Sequence, residues 1–254
     1  MFDGLADNYD RHRPDYPAPV VAAWRAHLDR GRRRPGPRVV VDLGCGTGIS
    51  TRALARALDA DDILIGAEPS TDMRAEFRAN PDTAVRPLVA ALGERLPLAG
   101  ASLDAIVVAQ AAHWMDRSAL LAEANHALVP GGTFAFLNNN RLWPGSAFLG
   151  AYEDVLERLS PGYRRDYRAF DYAAELDEVG AIEVIVRTHM WDRAFDADDF
   201  LGLVRSTSMY KNAAKAHERS TVEAEVRSLV AAHADGAGRV VVAYETELVA
   251  GRLA

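Results

Sequence analysis

Short apolar runs alternate with amphipathic segments along the first half of this sequence. The apolar runs are bounded by turn residues, which favours buried parallel strands. The predicted strands cover Val39–Leu43, Ile63–Ala67, Ala84–Ala90, Leu103–Ala109 and Thr133–Leu137. Helical spacing of apolar residues predicts helices over 17–30, 47–58, 70–79 and 116–128. This alternation predicts a parallel sheet with helices on both faces.

The pattern changes after Leu137. Residues 138–180 have a mostly helical pattern and many aromatic residues, and further helices are predicted over 196–207 and 220–234. Two more strands, Ile182–Thr188 and Val240–Leu248, are expected to pair antiparallel at the sheet edge. The helices between the fifth and seventh strands are therefore expected to cover a site as a cap.

Together these elements predict an α/β fold. It is a Rossmann-like, seven-stranded, mostly parallel sheet with helices on both faces, an antiparallel last strand and a helical cap. The 254 residues suit one large domain, 1–254. Within it we distinguish an N-terminal lid segment and helix (1–37), a core (38–137), and a helical cap with the sheet-edge strands (138–254).

Charge and composition exclude several classes of protein. The formal net charge of −7 argues against a nucleic-acid partner, because nucleic-acid binders usually present a basic field. The single cysteine, Cys45, excludes an internal disulfide framework, and the histidines lack the spacing of a metal site. No membrane-length apolar run and no secretory signal are found, so we expect a cytoplasmic protein without membrane partners. Oligomeric state is not readable from the sequence.

The most informative motif is the glycine-rich stretch 40–48, Val-Val-Asp-Leu-Gly-Cys-Gly-Thr-Gly, between a predicted strand and a predicted helix. Such glycines permit a tight turn and let a ligand approach backbone N–H groups. A Walker phosphate loop requires a lysine that is missing here. In a dinucleotide fingerprint the third glycine would stand one residue later than Gly48. The glycine pattern alone therefore leaves the ligand open.

Two carboxylates narrow the choice of ligand. Asp42 ends the first predicted strand, where it would oppose a pyrophosphate but suits a cation such as an α-ammonium group. Glu68 ends the second predicted strand, 20 residues after Gly48, where an acidic side chain can accept hydrogen bonds from ribose hydroxyls. The pair predicts a nucleoside that carries a positively charged amino-acid group.

The residues 42–48 resemble motif I of class I S-adenosylmethionine-dependent methyltransferases. The stretches 93–98 and 102–107 are similar to the family's segment between the third and fourth strands, and 128–132 resembles the turn before its fifth strand. The segments 9–17 and 112–116 look like those of the trans-aconitate-methyltransferase-like, or type 11, small-molecule subgroup. The resemblance runs from about Tyr9 to Leu137, whereas the C-terminal third matches loosely.

The resemblance implies that the core 38–137 binds S-adenosylmethionine and its product S-adenosylhomocysteine. The implied cofactor contacts are Tyr9, Arg13, Asp42, Gly44, Cys45, Gly46, Thr47, Glu68, Pro69, Met73, Gly93, Glu94 and Gln110. Asp42, Gly44 and Gly46 would hold the methionine end, and Glu68 would bind the ribose. Gln110 would lie beneath the sulfonium.

The resemblance also implies how the rest of the cofactor is enclosed. Pro69 and Met73 would pack near the adenine, and residues 93–94 would border its edge. Tyr9 and Arg13 would close over the cofactor from the N-terminal lid.

The implied reaction is methyl transfer to oxygen, nitrogen or carbon of a small molecule, with a carboxylate or a phenol among the possible acceptors. An in-line displacement from a sulfonium needs no metal, and most of the catalysis would be alignment and desolvation. His113 is the predicted base or substrate-orienting residue, because it follows the fourth strand beside the expected methyl position. Trp114, Arg141, Arg205 and Tyr210 are the remaining predicted substrate contacts.

Two other functions stay open at this point. A cofactor-binding fold does not fix the reaction, so the chain could use S-adenosylmethionine for a non-methylating reaction or only bind it. A nicotinamide oxidoreductase is the second alternative, disfavoured by the glycine spacing and by Asp42.

Overall fold

The computed structural model describes residues 12–31, 35–167 and 169–253. Its centre is a seven-stranded sheet in the order β3-β2-β1-β4-β5-β7-β6. The strands are β1 Val39–Leu43, β2 Ile63–Ala67, β3 Leu88–Val89, β4 Leu103–Ala109, β5 Leu128–Arg141, β6 Ile182–Phe195 and β7 Val240–Arg252. The pairs from β3 to β5 are parallel, and β7 is antiparallel to both β5 and β6.

Helices connect these strands and form the cap. Before β5 they are α1 Ala18–Arg30, α2 Ile49–Ala55, α3 Thr71–Ala79, α4 Pro81–Ala84 and α5 Arg117–Ala127, with a 3₁₀ turn at Ala112–Trp114. After β5 they are α6 Ala147–Leu159, α7 Tyr172–Glu178, α8 Ala197–Arg205, α9 Ser208–Ala216 and α10 Arg219–His233. Ser70 caps α3, because its side chain accepts a hydrogen bond from the Met73 amide.

Alternate residues of the central strand β4 pack on opposite faces of the sheet, as the two-residue period of a strand requires. Ile106 and Val108 belong to a core that α5 and α7 cover. Ala105 and Val107 belong to a second core, which α1 and α2 cover. A third apolar cluster joins α6, α8, α9 and α10 to the ends of β6 and β7, and this cluster is the interior of the cap.

The fold class predicted from the sequence is confirmed, with corrections to its details. The last two strands pair antiparallel at the sheet edge, as predicted, with β7 inserted between β5 and the outermost strand β6. The third strand, predicted over 84–90, covers only two residues, and its predicted first residue, Ala84, instead ends α4. The fifth strand continues to Arg141, and α9 was not expected. The division of the chain into subregions stays a prediction.

Candidate functional site

The glycine-rich loop after β1 is held against the end of β2. The amides of Gly44 and Cys45 donate to the carbonyl oxygen of Ala67 at 2.7 and 3.2 Å. Gly44, Gly46 and Gly48 have φ angles of 70°, 56° and 93°, which glycine adopts without steric cost. The sequence therefore turns sharply where the strand ends and leads directly into α2.

Two of these glycines are also required by close packing. A Cβ atom on Gly44 would lie 2.6 Å from the Cβ of Ala111, and one on Gly48 would lie 2.6 Å from Cγ2 of Thr83. A Cβ on Gly46 would meet no atom within 4 Å. Gly46 therefore borders open space, which makes the middle of the loop the part that a ligand can approach.

Glu68 is fixed by two backbone amides at the tip of β2. Its Oε2 accepts from the Gly46 amide at 3.0 Å, and its Oε1 accepts from the Ser70 amide at 2.8 Å. Burial raises the pKa of Glu68, although these two amide donors and the charge of Arg74 act in the opposite direction. The carboxylate therefore links the loop to β2 and keeps lone pairs for further donors.

Asp42 lies fully buried beneath the same loop. Its Oδ2 accepts from the hydroxyls of Ser50 at 2.7 Å and Thr51 at 2.5 Å. Its Oδ1 has no hydrogen-bond partner among the described residues. Burial raises the pKa of Asp42 to about 6, the two hydroxyls oppose this, and the charge of Glu68 adds to it. A cation beside Oδ1 would remove this penalty.

Two neighbouring cavities open beside the loop. The larger has a volume of about 390 Å³ and the smaller about 110 Å³. Both are bordered by Arg13, Gly44, Gly46, Ala109 and Gln110. The smaller cavity continues along Glu68, Pro69 and Met73, while the larger continues under the cap. The end of β4 thus stands between two compartments of different size and lining.

Gln110 marks this boundary with a rare backbone conformation. Its φ angle is 56°, in the left-handed region that side chains other than glycine seldom adopt. The conformation is held by its amide, which donates to Leu137 O at 3.0 Å, and by its Nε2, which donates to Asn139 O at 2.6 Å. Maintained strain of this kind is concentrated at functional sites.

The far wall of the larger cavity carries a buried cluster of charged and hydroxyl groups. Arg141 at the end of β5 donates through Nε and Nη2 to Oε1 of Glu153 on α6, at 3.2 and 2.9 Å. Tyr163 donates its hydroxyl to Oε2 of Glu153 at 2.5 Å. Burial lowers the pKa of Arg141, but the charge of Glu153 and the neighbouring tyrosines together outweigh this effect, so that the pKa is raised overall. The cluster ties the cap to the sheet.

His113 and Trp114 border the smaller cavity rather than the larger one. The His113 ring lies 4.8 Å from the Trp114 ring and 5.6 Å, edge to face, from the Tyr167 ring. Because Tyr167 lines the larger cavity, His113 lies between the two compartments. This position agrees with a residue that faces reactants, and its chemical role stays a prediction.

Several other predicted site residues do not reach the cavities. Arg205 is bound to Glu223 at 2.9 Å, and the Tyr210 hydroxyl donates to the same carboxylate at 2.6 Å, in the outer part of the cap. The structure does not bring these two residues to either cavity, because the ends of their side chains are held by α10 instead.

Gly93 and Glu94, which were predicted to border the adenine, also line neither cavity. The side chain of Met115 fills the space beside Gly93, and Glu94 accepts from the amide of Asp116 at 2.9 Å. Of the predicted contacts in this loop region, Cys45 lines the larger cavity, whereas Asp42 and Thr47 are buried and line neither. Tyr9 lies outside the described residues.

The remaining lid residue, Arg13, does reach both cavities. Its guanidinium donates to the hydroxyl and the carbonyl oxygen of Ser206, both at 3.0 Å. Ser206 follows α8 in the cap, 193 positions along the chain. Arg13 thus connects the N-terminal segment to the cap directly above the end of β4.

Sequence reasoning missed most of the wall of the larger cavity. The missed lining residues include Tyr16, Asn139, Glu153 and Tyr244. One signal was available for Glu153, which lies on the apolar face of α6 between Leu149 and Leu156 at helical spacing. An acidic residue on such a face indicates a buried charge with a partner.

No group of three or more potential ligands suited to a metal ion occurs in ranges 12–31, 35–167 and 169–253. Within the same ranges no helix is both long and apolar enough to cross a bilayer.

Known proteins resemble this arrangement. Residues 41–136 match the family model described as a methyltransferase domain. An uncharacterized methyltransferase of Mycobacterium tuberculosis is 37% identical over 143 residues, which cover 55% of this chain and 52% of that protein. The match thus spans about half the length of this mycobacterial relative.

A second relative is similar over a larger share of the chain. The ubiquinone/menaquinone biosynthesis C-methyltransferase UbiE of Burkholderia vietnamiensis is 27% identical over 212 residues, covering 80% of this chain and 86% of the relative. The family resemblance seen in the sequence is thereby confirmed.

Solved structures agree at the level of the fold. A candidate type II methyltransferase from Anaeromyxobacter dehalogenans superimposes with a TM-score of 0.67 at 22% identity, covering 95% of this chain and 98% of that one. A candidate methyltransferase of an antibiotic biosynthesis pathway from Anabaena variabilis gives a TM-score of 0.56 at 18% identity, covering 93% and 98%. At these identities the likeness concerns the fold alone.

Proposed function

We propose that this protein transfers a methyl group from S-adenosylmethionine to a small-molecule acceptor. The observation that carries this proposal is a pair of buried carboxylates, Asp42 and Glu68, at the ends of neighbouring strands around a glycine loop. One oxygen of Asp42 is buried without a partner among the described residues, so the site suits a cationic group. The match of residues 41–136 to a methyltransferase domain supports the same ligand.

The residues present fit the groups of this cofactor. Asp42 would attract the α-ammonium group, directly or through a water molecule. Glu68 would accept hydrogen bonds from the ribose hydroxyls with its remaining lone pairs. Pro69 and Met73 line the smaller cavity, where they would pack against the adenine. Gln110 stands where the two cavities meet, which suits the neighbourhood of the sulfonium.

The cofactor supplies an electrophilic methyl group, whose bond to sulfur breaks as the bond to the acceptor forms. The chain's own contribution is to align the acceptor in the larger cavity and to exclude water from it. Oxygen, nitrogen and carbon acceptors all fit this scheme, including a carboxylate or a phenol, and none requires a metal. The relative UbiE is named a C-methyltransferase, which makes carbon acceptors one class to test.

A base is needed only when the acceptor carries a proton that must leave. His113 is the residue we assign to that role or to orienting the acceptor, because it lies between the cavities and contacts Tyr167. If His113 acts as the base, the variant His113→Ala would lower turnover about 100-fold. If His113 instead orients the acceptor, the same variant would mainly raise the apparent KM for the acceptor.

Calorimetry with S-adenosylhomocysteine and NAD tests the cofactor. We expect S-adenosylhomocysteine to bind and NAD not to bind. Glu68→Ala should weaken S-adenosylhomocysteine binding by about 1–3 kcal/mol, since it removes hydrogen bonds to the ribose. Glu94→Ala is the matched control, because that carboxylate borders neither cavity. Equal binding of NAD, or equal effects of the two variants, would contradict the assignment.

A metabolite panel tests the reaction. The purified protein, S-adenosylmethionine and each metabolite are incubated, and mass spectrometry follows the acceptor's methyl gain together with S-adenosylhomocysteine formation. Equimolar appearance of the two products is expected. Cofactor binding without methylation of any small molecule, combined with methylation of a tRNA or a peptide, would refute the small-molecule acceptor. Binding with no transfer at all, or with a different cofactor product, would favour a binding-only or non-methylating protein.

A further inference from the structure

Three side chains form one row across the antiparallel part of the sheet. Arg141 on β5 is the register partner of Tyr244 on β7, and Tyr244 is in turn the partner of Trp191 on β6. Directly opposed residues of antiparallel strands place their side chains on the same face. The Trp191 and Tyr244 rings are stacked, 4.6 Å apart and 17° from parallel. Trp191 is itself anchored through Nε1, which donates to Thr246 at 2.8 Å.

Two polar groups of this row are left for a ligand. Arg141 uses Nε and Nη2 to hold Glu153, while its Nη1 has no hydrogen bond to any described residue. The Tyr244 hydroxyl is buried and also lacks a partner in the described part of the chain. Both residues line the larger cavity. A buried unpaired hydroxyl costs free energy, which an oxygen atom of a bound molecule would recover.

The charges around this pair favour an anionic or strongly accepting oxygen. The two carboxylates of the cavity wall are already engaged, Glu153 by Arg141 and Tyr163, and Asp166 by Arg164. Arg13 adds a further positive charge to the lining. An ammonium group would therefore find no uncommitted carboxylate in this wall, whereas an oxyanion would find donors.

Aromatic rings form part of the wall of this compartment. The rings of Tyr163 and Tyr167 lie 5.4 Å apart, and Trp143 also lines the cavity. Aromatic walls of this kind suit a planar molecule, which can stack on one ring and meet the edge of another.

We propose that Nη1 of Arg141 and the hydroxyl of Tyr244 form an oxyanion subsite for the acceptor, which is a planar molecule bearing a conjugated carboxylate or phenolate. This assignment rests on the proposed function, because it takes the larger cavity as the acceptor compartment. Charge-assisted hydrogen bonds from a guanidinium and a hydroxyl are short and strong, so that they orient such a molecule as well as bind it. Tyr244 is a specificity-determining residue in this scheme.

Binding of three small aromatic probes to the full chain tests the subsite. The protein is first saturated with S-adenosylhomocysteine, checked by calorimetry. Benzoate, 4-nitrophenolate and benzylammonium are then titrated separately and followed by saturation-transfer NMR. We expect both anions to bind and benzylammonium not to bind. Stronger binding of benzoate assigns a carboxylate acceptor, and stronger binding of 4-nitrophenolate assigns a phenolate.

Two tyrosine variants give the test its control. Tyr244→Phe should weaken binding of the preferred anion at least about tenfold, because it removes one hydrogen bond to a charged oxygen. It should unfold at the same temperature as the parent or a higher one, since the lost hydroxyl has no partner in the described residues. Tyr210→Phe, whose hydroxyl is bound to Glu223 away from the cavity, should leave probe binding unchanged.

Three results would overturn the subsite. They are benzylammonium binding as well as the anions, parental anion affinity in Tyr244→Phe, and no binding of any probe to the protein loaded with S-adenosylhomocysteine. Failure of S-adenosylhomocysteine to bind in the first step refutes the proposed function instead, so the two failures are distinguishable.

Discussion

Glu68 and Glu153 are both buried carboxylates that border the paired cavities, yet their surroundings differ. The oxygens of Glu68 accept from two backbone amides, those of Gly46 and Ser70. The oxygens of Glu153 accept from two side chains, those of Arg141 and Tyr163. The carboxylate at the smaller cavity is thus held by backbone groups near strand ends, whereas the one at the larger cavity is held by side chains from separate segments.

This difference has a chemical consequence. Backbone amides at a glycine turn can be supplied by many sequences with the same loop, so that one ligand can be retained while the rest of the chain changes. A wall made of cap side chains changes with every substitution in the cap. We therefore expect variants of the first compartment to alter cofactor affinity and variants of the second to alter stability and acceptor choice.

The largest effect is expected from Glu153→Leu. Removing this carboxylate leaves the Arg141 charge buried without its partner, which should lower the free energy of unfolding by about 3–5 kcal/mol. Urea denaturation of the purified variant measures the change. The double variant Glu153→Leu, Arg141→Met removes both charges and should regain most of the loss. A double variant as unstable as the single one would show that the buried unpaired charge is not the cause of the lost stability.

The next effect is expected from Gly44→Ala in the cofactor loop. The left-handed backbone costs alanine about 1–2 kcal/mol, and the new Cβ would lie 2.6 Å from that of Ala111. Because the loop must shift, S-adenosylhomocysteine binding measured by calorimetry should fall at least about tenfold. Gly145→Ala is the matched control, since Gly145 has a φ angle of 83° but no neighbouring atom within 4 Å. Equal loss of affinity in both variants would show that the loop does not contact the cofactor.

Protonation of Asp42 should produce a smaller, graded effect. Its pKa in the folded protein is about 6, above the ordinary value of 3.8. The folded state therefore retains a proton that the unfolded state has lost, and this contribution to stability disappears as pH rises from about 4 to about 6. An ammonium ligand favours the ionised form, so S-adenosylhomocysteine affinity should rise through that window and level off above it.

Calorimetry at several pH values checks this prediction, with Asp42→Asn as the control variant. The variant should bind more weakly than the parent above pH about 6 and should lack most of the pH dependence below it. Identical pH profiles for the parent and the variant would mean that another group, such as Glu68, titrates instead.

The smallest effect is expected from Arg205→Ala. Its guanidinium is 39% exposed and pairs with Glu223, and a pair of this exposure contributes about 0.2–1 kcal/mol at most. Neither cofactor binding nor anion binding in the larger cavity should change, because Arg205 lines neither cavity. Thermal unfolding measures the change in stability, and titration of the ligands measures the change in binding. A large loss of acceptor binding would restore the sequence-based interpretation of Arg205 as a substrate contact.

The sequence alone determined the parts of the molecule that local patterns encode. The bounds of β1, β2 and β4 were predicted to the residue, because each is a short, mostly apolar and largely buried run that ends at turn residues. The glycine loop and Glu68 could also be predicted from the sequence, since the spacing between strand ends and turn residues is itself a local property. Asp42 was identified for the same reason.

Only the tertiary structure decided which distant side chains share a cavity. Arg13 meets Ser206 across 193 positions, and Tyr244 meets Arg141 because β7 inserts between β5 and β6. Residues 93–94 and Arg205 were expected in the site, but Met115 fills the space at one position and Glu223 binds the other. Periodicity indicates which face of an element is buried, whereas the partner of that face depends on the packing of segments far apart in the chain.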